Sequence, residues 1–176
     1  QEFLDAGFTT VLSAIDPPPI IEAKRRIEAG TLAGPRLYTG TFVPLAGAVP
    51  GPRAPGDPAR TDASRGPRNG PAAPAVPAEQ TAQAVQRAKA AGYDFLKVVL
   101  VSTPNGTELD TLKLIVAEGK KVGMPTIVHA VSVMDTLTAV EAQPALLVHT
   151  PHIGRLDEDP YAIRKIVEAK IPMTST

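Results

Sequence analysis

Three stretches decide how this chain is read: DFLKVVLVS (residues 94–102), MPTIVHAVS (124–132) and PALLVHTPH (144–152). Each holds an apolar run of strand length with, inside it or at its end, a side chain that can be or become a metal ligand: Lys97, His129 and His149. Amphipathic segments of helical length lie between them. When strand and helix alternate in this way, neighbouring strands lie parallel and side by side, so residues far apart in sequence converge at the strands' carboxyl ends. Continuous apolar runs of this kind suit parallel strands buried on both faces.

Upstream, residues 2–6 read as the end of a helix closed by Gly7, and FTTVLSAI (8–15) as a buried strand stopped by Asp16 and three prolines. Residues 20–29 carry Ile20, Ala23 and Ile27 at helical spacing, with Lys24, Arg25 and Arg26 facing mostly elsewhere and Gly30 closing the helix. PRLYTGTFVPLAG (35–47) supplies another strand. From 48 to 80 the composition turns to proline, glycine, alanine and scattered arginine, which cannot bury enough apolar surface for a core element. It reads as a flexible surface insertion, and its place after a strand also suits a lid or substrate loop.

Residues 81–91 form an alanine-rich helix ended by Gly92. Thr107 with Asp110 resembles a capping box for a helix whose inner face is Leu109, Leu112, Ile115, Val116 and Val122. Ser132 with Asp135 repeats that signal before residues 133–142. Asp159 and Pro160 open a last helix with Ile163, Ile166 and Val167 inward, and residues 172–176 begin a strand. That makes six strands with five helices between them, preceded by a helix fragment. Two α/β architectures fit: an open doubly wound sheet, or part of an eight-stranded barrel of about 250 residues. As a barrel the chain is incomplete, with two unpaired edges.

The 176 residues suffice for one domain or part of one, and 43% hydrophobic with 20% charged residues is the composition of a soluble globular protein. Eighteen basic residues balance eighteen acidic ones, so charge argues for neither nucleic acid nor a membrane surface. No apolar run approaches the roughly 20 residues needed to span a bilayer. Without cysteine there are no disulfides or thiolate sites, and the compartment, cytoplasmic or exported, stays open. QEFLDAGFTT has neither an initiator methionine nor a leader, and reads as a start inside a domain.

Lys97 lies deep in an apolar run, where an unpaired ammonium is costly. It can pair with an acidic neighbour or reach out along its stem, serve as a Schiff-base lysine, or be carboxylated by carbon dioxide to a carbamate that bridges two divalent metals. Only the last accounts for histidines on the next two strands. Either histidine alone is more often a hydrogen-bonded core residue than a ligand, but two at the same point of consecutive parallel strands come within reach of one ion. His152, three residues past His149, sits on the loop, where it meets substrate or faces solvent.

These residues and their surroundings resemble the amidohydrolase superfamily, in particular its imidazolonepropionase-like and prolidase-like members. The matching phrases are DAGFTTV (5–11), IEAGTLAGPRLYTG (27–40), AKAAGYDFLKV (88–98), GKKVGMPTIVHA (119–130) and LLVHTPHIGRLD (146–157). The resemblance implies an incomplete TIM (β/α)8 barrel covering about strands two to seven, the whole chain being one partial domain. It makes Lys97 the strand-four lysine that is carboxylated in binuclear members, and His129 and His149 the strand-five and strand-six histidines.

It further implies hydrolysis of amide or cyclic amide bonds with one or two divalent ions, zinc foremost. The substrate would be a small molecule or short peptide-like compound, and a homo-oligomer is compatible with it. The family's His-x-His and its strand-eight aspartate have no counterpart in these residues, so the chain by itself is expected to be inactive. KVVLVSTPNG (97–106) also lacks the glycine-rich continuation common in the prolidase-like group, and Gln143 stands where glycine is usual. A truncated barrel acting as a binding or structural module, and a Schiff-base lyase or aldolase using Lys97, are the rival readings.

Overall fold

The computed structural model describes residues 2–45, 77–103 and 106–175. A short helix α1 (Glu2–Asp5) leads into β1 (Thr10–Ser13), after which come α2 (Pro19–Glu28), β2 (Arg36–Phe42), α3 (Ala78–Ala91) and β3 (Phe95–Val99). The alternation continues through α4 (Thr107–Lys121), β4 (Thr126–His129), α5 (Val133–Glu141), β5 (Leu146–Val148), α6 (Pro160–Ala169) and β6 (Met173–Thr174). Every strand pairs in parallel with the next one in sequence, giving the order β1-β2-β3-β4-β5-β6. A doubly wound sheet reverses its order at a switch point. This one never does, and its six curled strands are part of a (β/α)8 barrel.

The apolar runs of β3 and β4 are continuous because these two strands bury both faces. Leu96, Val98, Leu100, Val128 and Leu147 join the core beneath the helices, with Leu112, Ile115 and Val116 of α4 packed on them and Leu109 and Val122 partly buried at its margin. Phe95, Lys97 and Ile127, which alternate with those residues along β3 and β4, are buried on the opposite, inner face. There β2 passes close: a Cβ on Gly40 would overlap the ring of Phe95 and lie 2.8 Å from the carbonyl oxygen of Ala14. Only glycine leaves that room.

Several local expectations are corrected. Residues 8–15 are not a buried strand: β1 is at the sheet edge, with Phe8, Leu12 and Ile15 exposed. Lys24 does not face away from the core but turns in, its Nζ donating to Asp94 Oδ1 at 2.6 Å. Asp94 Oδ2 also accepts from the Thr39 amide at 2.7 Å, so α2, β2 and the entry to β3 share one carboxylate. On α6 the inward residues are Ala162, Ile166 and Ala169, whereas Ile163 and Val167 are exposed; the helix is rotated relative to its most apolar stripe.

The capping box at Thr107 does not form, because Gly106 takes the N-cap position in a left-handed conformation. Thr103 instead donates to the buried Glu108 at 2.7 Å. At Ser132 and Asp135 the box forms with both of its bonds. The insertion read at 48–80, with its lid or substrate-loop reading, lies outside the described residues up to 76; α3 begins at Ala78, inside the range assigned to it. Among the described residues no helix is long and apolar enough to cross a membrane.

Candidate functional site

The register places the three singled-out side chains at graded depths of one end of the sheet. Lys97 is flanked by Phe42 of β2 and Ile127 of β4, Val99 pairs with His129, and His129 pairs with Val148. Lys97 is thus two residues deeper than His129 on the same inner face, and His149 is the first residue past β5. The backbone at His149 has φ 77°, a left-handed conformation outside any helix end. A side chain in that region is strained by about 1–3 kcal/mol and persists where its surroundings hold it. There the imidazole meets that of His129 edge-on, with ring centroids 4.6 Å apart and planes at 83°.

Burial sets the electrostatics. The Lys97 side chain, only 4% exposed, is pushed down from 10.5 to about 8 by desolvation, with no carboxylate among the causes. His129 falls to about 4, first through desolvation and then through His149 and Lys97, while Asp135 pulls the other way. His149 is lowered by its own burial and then by Lys97 and His152. These mutual effects put Lys97, His129, His149 and His152 in one neighbourhood at the mouth. His152 is exposed there, its amide donating to Val131 O at 2.9 Å.

Both imidazoles are therefore held neutral, the form in which a ring nitrogen binds a cation. Beside them is an amine that sheds its proton far more readily than an ordinary lysine. This donor chemistry fits a divalent ion. Among the described residues no group of three or more His, Cys, Asp or Glu side chains is placed to hold a metal.

Sequence reading missed Asp135 as more than a cap. Its Oδ1 accepts from the Ser102 amide at 2.7 Å, across to the loop that follows β3. The Ser132-x-x-Asp135 spacing was the available signal, and it points only to the helix start. Two clefts lie apart from this mouth. One, of about 510 Å³, lies between the end of β2 and α3 beside Thr81 and Arg87, and one of about 390 Å³ lies at the amino ends of β4 and β5 near Met124 and Gln143.

The arrangement is a partial (β/α)8 barrel, and solved enzymes share this fold. Its solved neighbours include molinate hydrolase (TM-score 0.70, 20% identity, covering 98% of this chain and 42% of that one). A Xaa-Pro dipeptidase with methionine bound in its active site matches with TM-score 0.67 and 21% identity, covering 96% of this chain and 42% of that one. A structure described as an amidohydrolase matches with TM-score 0.67 and 23% identity over 99% of this chain and 44% of that one. The chain thus spans less than half the length of these proteins. No family model and no curated protein matches the sequence.

Proposed function

We propose that the whole protein is a metal-dependent hydrolase of amide or cyclic amide bonds, with Lys97, His129 and His149 contributing to its metal site. The observation that carries this reading is the meeting of the His129 and His149 rings beside a buried lysine at the carboxyl mouth of the barrel. A divalent ion held there, zinc foremost, would lower the pKa of water from 15.7 toward about 7 and polarise the carbonyl under attack.

The chain's own contribution begins with Lys97. At pH 7 a pKa of about 8 leaves roughly one amine in ten neutral, against about one in 3,000 at 10.5. The neutral nitrogen can attack carbon dioxide, forming the N–C bond and releasing one proton, and the resulting carbamate is an anion able to bridge two ions. His129 and His149 then supply ring nitrogens that need no deprotonation at neutral pH. If a single ion were bound, His129 would be the residue to hold it and His149 would be the one to steady negative charge on the substrate oxygen. His152, exposed on the loop, would touch a small or short peptide-like substrate.

Metal analysis of the full-length protein with Lys97→Ala, His129→Ala and His149→Ala tests this. Loss of metal is expected in the histidine variants, and unchanged metal content in all three removes the proposal. The lowered pKa of Lys97 also suits a Schiff-base nucleophile. Borohydride trapping of a carbonyl substrate on Lys97 would favour that second reading, which leaves the paired histidines without a role.

A further inference from the structure

Asp135 is 5% exposed and sits in the first turn of α5, where a capping box needs one of its oxygens. Oδ2 does that work, accepting from the Ser132 amide at 3.3 Å, while Ser132 Oγ accepts from the Asp135 amide at 2.9 Å. Oδ1 is turned to another loop and takes the Ser102 amide at 2.7 Å. Ser102 lies five residues past Lys97, and its hydroxyl also donates to Thr138 Oγ1 on α5 at 3.1 Å.

The Ser132 segment is in turn joined to the loop after β5. Ser132 bridges Ile153, the Val133 amide donates to Ile153 O at 3.0 Å, and the Ile153 amide donates to Val131 O at 3.0 Å. The exits of the three strands that carry Lys97, His129 and His149 are therefore tied together, two of them directly through one buried carboxylate. A cap needs only the bonds within α5. The bond to Ser102 does nothing for the helix and fixes the spacing between loops.

We propose that Asp135 is a positioning residue: by clamping the loop after β3 to the loop after β4, it holds the His129 ring against that of His149 at the mouth above Lys97. This rests on the ligand reading given under Proposed function. Its action on the rings, however, is readable without any metal.

The test compares the wild-type chain with Asp135→Ala, Asp135→Asn and, as a control for cap loss alone, Asp159→Ala. Asp159 caps α6 by accepting from the Ala162 amide at 2.9 Å, ten residues past His149. In the metal-free protein, NMR cross-peaks between the His129 and His149 ring protons are expected to weaken at least about 5-fold in Asp135→Ala and to persist in Asp159→Ala. In the Co²⁺-titrated protein, Asp135→Ala should bind about 10–100-fold more weakly, the usual effect of losing a group that orients ligands, and Asp159→Ala within 2-fold of wild type.

If Asp135→Ala does not fold, Asp135→Asn keeps the shape and one acceptor oxygen, and should show a smaller loss, about 3-fold or more, in the same two readouts. Unchanged ring cross-peaks and unchanged Co²⁺ affinity in the Asp135 variants overturn the positioning role while leaving the ligand reading intact. A wild type that binds no Co²⁺ defeats the ligand reading instead, and the ring cross-peaks still decide the role of Asp135. Their absence from the wild type overturns it too.

Discussion

Replacing Lys97 by Met keeps a flexible chain of similar volume in an apolar slot and deletes the titratable amine. In the metal-free protein and in carbon-dioxide-free buffer, the folded lysine loses its proton near pH 8 and the unfolded one near 10.5. Between those values the unfolded state binds more protons, so this group makes stability rise with pH. Below pH 8 its full penalty applies, because both states are charged and only the folded one has lost solvation. The span of 2.5 pH units at 1.36 kcal/mol each amounts to about 3 kcal/mol.

Lys97→Met should therefore be more stable than wild type at pH 7 by about 2–3 kcal/mol, after allowing for imperfect packing. In urea unfolding at about 2 kcal/mol per molar, that moves the midpoint up by about 1–1.5 M. At pH 10.5 the two midpoints should nearly coincide, since the wild-type amine is then neutral when folded. A gap that stays the same from pH 7 to 10.5 would refute the assignment of Lys97 as a buried, desolvated base. Adding bicarbonate with a divalent ion should restore wild-type stability at pH 7 and leave the variant unmoved.

Other consequences are as direct. His129 should titrate near pH 4 by NMR in the metal-free chain, and its pKa should rise in His149→Ala, because the neighbouring imidazole is one of the causes of its depression. His149→Gly should be more stable than His149→Ala by about 1 kcal/mol in denaturant unfolding, since glycine relieves the left-handed backbone; equal midpoints would count against strain there. Asp94→Ala should cost about 2–4 kcal/mol, because it strands the buried Thr39 amide and the inward Lys24 at once, and a loss under 0.5 kcal/mol would show that neither bond matters.

The succession of elements was legible because parallel strands covered on both faces leave unbroken apolar runs, and 95–101 and 144–148 are such runs. Periodicity could not choose between an open sheet and a barrel, since it is silent on strand order; the family phrases pointed to the barrel. What failed was decided by neighbours distant in sequence. Lys24 turns in because Asp94, seventy residues on, receives it, and Ile163 and Val167 stay out because Ala162 sets the close face of α6. Thr107 lost its cap to a glycine that bends where threonine cannot. At the mouth, spacing located Lys97, His129 and His149, and the left-handed backbone at Gln143 accords with a position where glycine is usual. Spacing could not reveal that an oxygen of Asp135 is spent outside its own helix.

The bare backbone at Gly40 and the ring of Phe95 across from it occupy a single allotment of space, split entirely in favour of one side. Neither position can drift alone: Gly40→Ala should be harmful by itself and tolerated better alongside Phe95→Leu, with the backbone just past β1 giving way at Ala14. In homologous barrels the two sites should change in step, one growing as the other shrinks, and such paired exchanges would trace how the floor beneath Lys97 has been rebuilt from one lineage to the next.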